Sequence, residues 1–175
     1  LSRQIKRSED KYRLLFSSSG DAIMTLEPPS WKFTSGNPAA IKLFGTKSEE
    51  EFVALGPGDL SPEKQPDGQL SADKAKQMIG IALAEGRSIF EWTHKKFKGE
   101  DFQASVLLTK IIEDNREYLQ ATVRDISEQK KNEETLRVRG SELQRLNKFM
   151  VGRELKMVEL KKEITDLKQR FNLNK

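Results

Sequence analysis

TVRDISEQKKNEETLR, residues 122 to 137, is where the chain changes character. Before it lies Leu119-Gln-Ala-Thr-Val123, an apolar and β-branched run that reads as a strand. After Asp125-Ile126-Ser127 the residues are charged, with no Gly or Pro until Gly140, which reads as a helix. Asp125 with Glu128 three positions on fits a capping box, and Ser127 is the alternative cap.

The new helix has a reason to be long. With heptad position a at 136, the a residues are Leu136, Leu143, Met150, Met157, Ile164 and Phe171. The d residues are Arg139, Leu146, Arg153, Leu160, Leu167 and Asn174, apolar in three of six. A heptad of this length predicts a coiled coil, weakened at the arginines. Phe149, Val151, Leu155 and Val158 fall off the seam around Gly152, where the helix is expected to widen, bend or break. A lone helix would leave this stripe in water, so homodimerisation is the expected remedy.

Upstream of the junction, Ile89 to Phe97, Phe102 to Ile112 and Glu117 to Val123 are three strand-like runs joined by turns short enough for antiparallel hairpins. Nearer the start, Leu1, Ile5, Ser8, Tyr12 and Leu15 recur at helical spacing, and Gly20-Asp21 breaks that helix. Ala22 to Leu26 and Trp31 to Ser35 read as strands around Pro28-Pro29. Asn37-Pro38 starts a helix that stops at Gly45, and Ser48-Glu-Glu-Glu51 starts another. Gly56 to Gly68 is a Pro- and Gly-rich loop, and Ser71 is the expected cap of a helix closed by Gly86. The last strands have no helices between them, so the class is α+β with an antiparallel sheet, not a parallel nucleotide-binding fold.

The chain of 175 residues suits one core plus an appendage. It has no apolar run of membrane-spanning length and no signal-peptide pattern, so a cytoplasmic location is expected. It has no Cys, which rules out a disulfide, a thiolate nucleophile and a Cys-ligated metal. Its start at Leu1 suggests a piece of something longer. The net charge of +4 comes from the tail: residues 1 to 126 carry 18 basic and 19 acidic side chains, residues 127 to 175 carry 13 and 8. Basic and acidic residues alternate there, which argues against a nucleic-acid-binding patch.

Several of these stretches together resemble a known family. Lys11-Tyr-Arg-Leu-Leu-Phe16 with Gly20-Asp-Ala-Ile23, Asn37-Pro-Ala-Ala40 with Leu43-Phe-Gly45, Leu60-Ser-Pro-Glu63 with Gln65-Pro-Asp-Gly68, and Arg124-Asp-Ile-Ser127 are similar, in order, to the PAS domain of signalling proteins. Met150 to Ile164 resembles linkers that follow PAS domains in sensor histidine kinases of two-component systems. The resemblance implies a five-stranded antiparallel sheet with short helices on one face, an apolar cavity, and flanking helices that dimerise. It divides the chain into an N-terminal signalling helix (1–16), a PAS core (17–126) and a coiled-coil linker helix (127–175). It implies a sensory module, itself not an enzyme, that relays a signal through Asp125, Ile126 and Ser127 to an output domain elsewhere in the parent chain. The other reading is a ligand-free dimerisation scaffold.

No catalytic set or metal-ligand spacing is present. Asp59, Glu63 and Asp67 sit in the Pro-rich loop, where solvation explains them. The candidate cavity lining is Phe33, Phe44, Met78, Phe90, Trp92, His94 and Phe102, with Trp31 and Phe52 nearby, and core filling is the simpler use for these rings. The absence of Cys excludes the flavin–cysteine photochemistry known in the family. His94, the only His, alternates with Phe90 and Trp92 on one strand face; a packed histidine rather than a haem ligand is the expectation. The cofactor expectation is therefore none, or an unidentified small molecule.

Overall fold

The computed structural model describes residues 2 to 173. Leu1 and Asn174, which enter the helical and heptad patterns above, lie outside the described residues, as does the Ile5 side chain. The chain forms two compact units, residues 1–128 and 129–175.

The first unit opens with helix α1 (Ser2–Ser18), followed by strands β1 (Ala22–Glu27) and β2 (Lys32–Gly36), short helices α2 (Pro38–Phe44) and α3 (Glu49–Val53), and helix α4 (Ser71–Glu85). Strands β3 (Arg87–Lys95), β4 (Asp101–Glu113) and β5 (Arg116–Asp125) follow, and helix α5 (Ser127–Leu173) leads into the second unit. The strands make one antiparallel sheet in the order β2-β1-β5-β4-β3.

Local chemistry fixes each turn. Asp114 and Asn115 sit at φ 47° and 61°, the left-handed pair of a two-residue hairpin turn whose twist matches the strands it joins. Asn37 caps α2 by accepting from Ala40 N at 2.9 Å, and Gly45 ends the helix at φ 74°, where a side chain would be strained. Ser48 Oγ accepts from Glu51 N at 3.2 Å, as its capping pattern predicts.

Alternation puts Met24 and Leu26 of β1, Phe102, Ala104, Val106 and Leu108 of β4, and Leu119, Ala121 and Val123 of β5 on one buried face. Phe44, Phe52, Leu60 and Ala82 cover it from the helical side, all fully buried. Phe52 stacks on Phe33 at 4.6 Å, and its ring occupies the space a Cβ at Gly36 would need, 2.7 Å away. Truncating a ring such as Phe44 or Phe52 to Ala would cost about 3–5 kcal/mol.

The ends of β3, β4 and β5 differ from the sequence reading by one or two residues, with Phe97 outside β3, and three further readings change. Trp31 does not begin β2: it adopts φ 53°, its N–H donating to Glu27 O to close the turn, and pairing starts at Lys32. Ser71 is not the cap of α4. It is the first helical residue, behind a Leu70 that makes no side-chain cap, and its hydroxyl is taken by Gln65 instead. In the second unit α5 runs without a break through Gly140 and Gly152; a single Gly costs a helix only about 1 kcal/mol, too little to interrupt one this long.

Candidate functional site

Between the sheet and the helical layer is a cavity of about 50 Å³ lined wholly by apolar surface. Its walls come from Met24, Leu26, Val106, Leu108, Ala121 and Val123 of the sheet, from Phe33, Phe90, Trp92 and His94, and from Pro57 and Ala75 opposite. Four of the seven expected lining residues are therefore at the cavity. Phe44 and Phe102 lie behind His94, with rings 5.1 and 5.6 Å from the imidazole, and Met78 is half-buried on α4, its sulfur 3.9 Å from Ser88 Oγ. Ligand pockets of drug-sized molecules are about 300–1,000 Å³, so this cavity has room for a few heavy atoms at most.

His94 is buried, and its Nδ1 lies 3.1 Å from Leu60 O. A carbonyl only accepts, so Nδ1 carries the proton and Nε2 is a bare acceptor. Burial disfavours the imidazolium and pushes the pKa down to about 4, against a smaller opposing effect of the Leu60 bond. The ring is neutral at pH 7. Among the described residues, His94 Nε2 and Thr46 Oγ1 are buried side-chain atoms with no hydrogen-bond partner.

The loop containing Leu60, Ser61 and Gln65 is fastened to edge strand β3 at consecutive points. Trp92 Nε1 donates to Ser61 Oγ at 2.9 Å, and Lys95 N donates to Leu60 O at 2.9 Å. Gln65 binds Thr93 twice: Thr93 N donates to Gln65 Oε1 at 2.9 Å, and Gln65 Nε2 donates to Thr93 O at 3.1 Å and to Ser71 Oγ at 2.9 Å. Gln103 of β4 continues the chain, Nε2 donating to Thr93 Oγ1 at 2.8 Å. Its own N–H donates to Ser127 Oγ at 3.1 Å, while Ile126 N donates to Gln103 O at 2.9 Å. Ser71, Gln65, Thr93, Gln103 and Ser127 thus form one hydrogen-bonded line from α4 to the start of α5.

This settles how the junction residues work locally. Asp125 Oδ1 accepts from Ser127 N at 2.8 Å, a local bond spanning two residues. Ser127 sends its hydroxyl sideways to Gln103 instead of capping its own helix, and Ile126 is buried beneath them. The capping box expected at Asp125 and Glu128 is therefore not formed: Asp125 holds the N–H of Ser127 instead of that of Glu128.

A sheet in the order 2-1-5-4-3, helices over one face and a small internal cavity is a recognisable assembly, and the sequence places it: residues 20–128 match the family model described as PAS domain. The chain belongs to the PAS family. Among solved structures, the PAS domain of an HTR-like protein from Haloarcula marismortui is 18% identical, with 71% of this chain and 97% of that one covered and a TM-score of 0.58. The PAS domain of nitrogen regulation protein NR(II) from Vibrio parahaemolyticus is 17% identical, covering 66% of this chain and 97% of that one, with a TM-score of 0.54. A PAS domain from a LuxR-family transcriptional regulator of Burkholderia thailandensis, in complex with ethanol, is 15% identical, covering 66% and 97%, with a TM-score of 0.52. At these identities the likeness is one of fold. No protein of curated function matches the chain.

The chain is thus a PAS domain whose fold is similar to that of a PAS domain from a two-component sensor histidine kinase. Among the described residues no group of three or more His, Asp or Glu is arranged to hold a metal ion, and no helix is long and apolar enough to cross a membrane. The heptad residues Leu136, Leu143, Leu146, Met150, Met157, Leu160, Ile164, Leu167 and Phe171 are 43% to 71% exposed along α5.

Sequence reasoning missed Gln65, Gln103 and the reach of Asn37. Only for Gln65 was there a signal, its place in the loop motif Gln65-Pro-Asp-Gly68. The inward residues Val106, Leu108, Ala121 and Val123 were legible as strand alternation but were not assigned to the cavity.

Proposed function

We propose that this PAS domain is a cytoplasmic regulatory module of a two-component system that passes a change at its loop and edge strand into α5, and through a dimeric coiled coil to an output domain of the parent chain, a histidine kinase. One observation carries the reading: the hydrogen-bonded line from Ser71 and Gln65 through Thr93 and Gln103 ends on Ser127, the first residue of the output helix. Ser71, Gln65 and Thr93 are buried and Gln103 and Ser127 half-buried, so a displaced link on the loop side leaves polar groups unpaired and favours passing the displacement on. The exposed heptad of α5 supports self-association, because two such helices would cover each other's apolar seam. Arg139 and Arg153 at d positions keep that pairing marginal, which a switchable element requires.

The cavity volume of about 50 Å³ supports an input other than a large cofactor such as haem or flavin. It also favours a second reading, a dimerisation scaffold whose core is filled by its own side chains. A molecule as small as ethanol fits the first reading better, held in the cavity by apolar contact. Native mass spectrometry of the purified chain separates these: a retained small molecule supports the sensor, and its absence the scaffold.

The relay itself is tested with Asp125→Ala, which removes the bond to Ser127 N from an exposed position. The core should melt as in the wild type while the tail dimer constant, read by sedimentation equilibrium, shifts by threefold or more. An unchanged constant contradicts the relay.

A further inference from the structure

We propose that the groove between α1 and the α2–α3 segment is a second ligand site of the domain, built for a small carboxylic acid that is ionised and carries an aromatic or branched apolar body. The site goes beyond the relay, none of whose members lines it.

The groove encloses about 790 Å³, within the range of about 300–1,000 Å³ typical of small-molecule sites and far above the 50 Å³ of the core cavity. Tyr12, Arg13, Phe16 and Ser17 recur at the spacing of one helix face and make the wall on α1. Within it the rings of Tyr12 and Phe16, one turn apart, stack at 5.9 Å and 17°. Pro38 and Ile41 contribute the apolar surface of α2.

The two helices are held at a fixed spacing. Asn37 is fully buried, and its Nδ2 donates to Phe16 O at 3.0 Å and to Asp21 O at 2.9 Å. Its Oδ1 accepts from Ile23 N and Ala40 N, both at 2.9 Å. Two donors and two acceptor sites are the whole capacity of a side-chain amide, and all four are used. The end of α1 cannot swing away from the start of α2 without stranding a buried amide, so the groove is formed before a ligand arrives. Leu14 and Leu15, 68% and 61% exposed, lie outside the groove, and a helix pairing on them need not cover it.

Charge selects the ligand. Arg13 and Lys42 line the groove, and among the described residues neither takes part in an ion pair. Glu49 is the acid of the lining, and its Oε1 accepts from Gly36 N at 3.0 Å. Two cations against one engaged carboxylate, beside an aromatic stack, suit an anion with an apolar body. The core cavity cannot take such a ligand: its lining is wholly apolar, and a buried carboxylate without a partner is strongly penalised.

The test is an amide-resolved NMR titration of the full 175-residue chain with sodium benzoate at constant ionic strength, set against neutral benzamide. Benzoate is expected to shift the amides of Phe16, Ser17, Ile41 and Ser48 saturably, with half-saturation at or below about 10 mM, an affinity within reach of so small a ligand. Arg13→Gln with Lys42→Gln removes both charges at exposed positions and should weaken benzoate about tenfold while leaving benzamide nearly unchanged. Tyr12→Ala, which keeps both charges, should weaken the two probes alike. Dispersion of the β4 and β5 amides checks that each variant is folded. Lack of saturation, shifts centred on Ala75 and Leu108 of the core cavity, or equal benzoate affinity in the wild type and R13Q/K42Q overturns the site. The relay is read from tail association without added ligand, so it stands or falls separately.

Discussion

Gln65 clasps Thr93 at both of its main-chain groups, accepting from the N–H at 2.9 Å and donating to the carbonyl at 3.1 Å. One side-chain amide thereby supplies what a neighbouring strand would supply to the outer edge of β3. It seals that edge against another chain and fastens the loop over the cavity to the strand that lines it.

Gln65→Ala should leave the Thr93 N–H and carbonyl and the Ser71 hydroxyl without their partner. The expected loss is about 2–4 kcal/mol of folding stability, read by urea unfolding, since each buried unsatisfied group costs about 1–3 kcal/mol and water entry relieves part of it. A loss below about 0.5 kcal/mol, the range of ordinary surface substitutions, would mean that the clasp is not needed to hold the loop.

His94 predicts a pH dependence of defined sign. Its pKa is about 4 in the folded chain against 6.5 ordinarily, so between those values the unfolded chain binds the proton and the folded chain does not. Stability therefore falls as pH drops from 6.5 to 4, by about 3 kcal/mol in all, and this contribution is flat outside the window. Asp21, held below its ordinary 3.8 first by the bonds from Arg124, acts in the same direction at lower pH. Denaturant melts from pH 7.5 to 4 should show the slope in the wild type and lose most of it in His94→Phe; an unchanged slope would place its origin elsewhere.

The tail should respond at its d positions. Replacing Arg139 and Arg153 with Leu extends the apolar seam, and each buried Leu is worth about 1.5 kcal/mol or more, so dimerisation should tighten at least tenfold per site. Leu146→Asp should weaken it comparably. Sedimentation equilibrium checks both, and a chain that stays monomeric in every variant would remove the coiled coil from the account.

Much of this fold is legible in the sequence because its signals are local. Asn37-Pro38 and Gly45 mark α2, and strand alternation marks the sheet. Trp31 was misread because nothing nearby announces a left-handed residue; the turn that imposes it is closed by Glu27. The relay is less legible for the opposite reason. Gln65 and Gln103 lie 28 and 10 residues from Thr93 and come together only once β3 and β4 pair and the loop folds over them. Ser71 and Ser127 both look like helix caps, and both hydroxyls instead accept from a residue outside their own helix, Gln65 and Gln103.

The central claim is that the edge of β3 and the start of α5 are one connected element. Thr93→Val removes the hydroxyl that accepts from Gln103 and keeps the side-chain shape. The dissociation constant of the tail dimer, measured for Thr93→Val alone and combined with Ser127→Ala, tests the claim most directly. The account predicts a shift of threefold or more from Thr93→Val when Ser127 is present and almost none in the S127A background. Equal shifts in both backgrounds, or no shift in either, would contradict it.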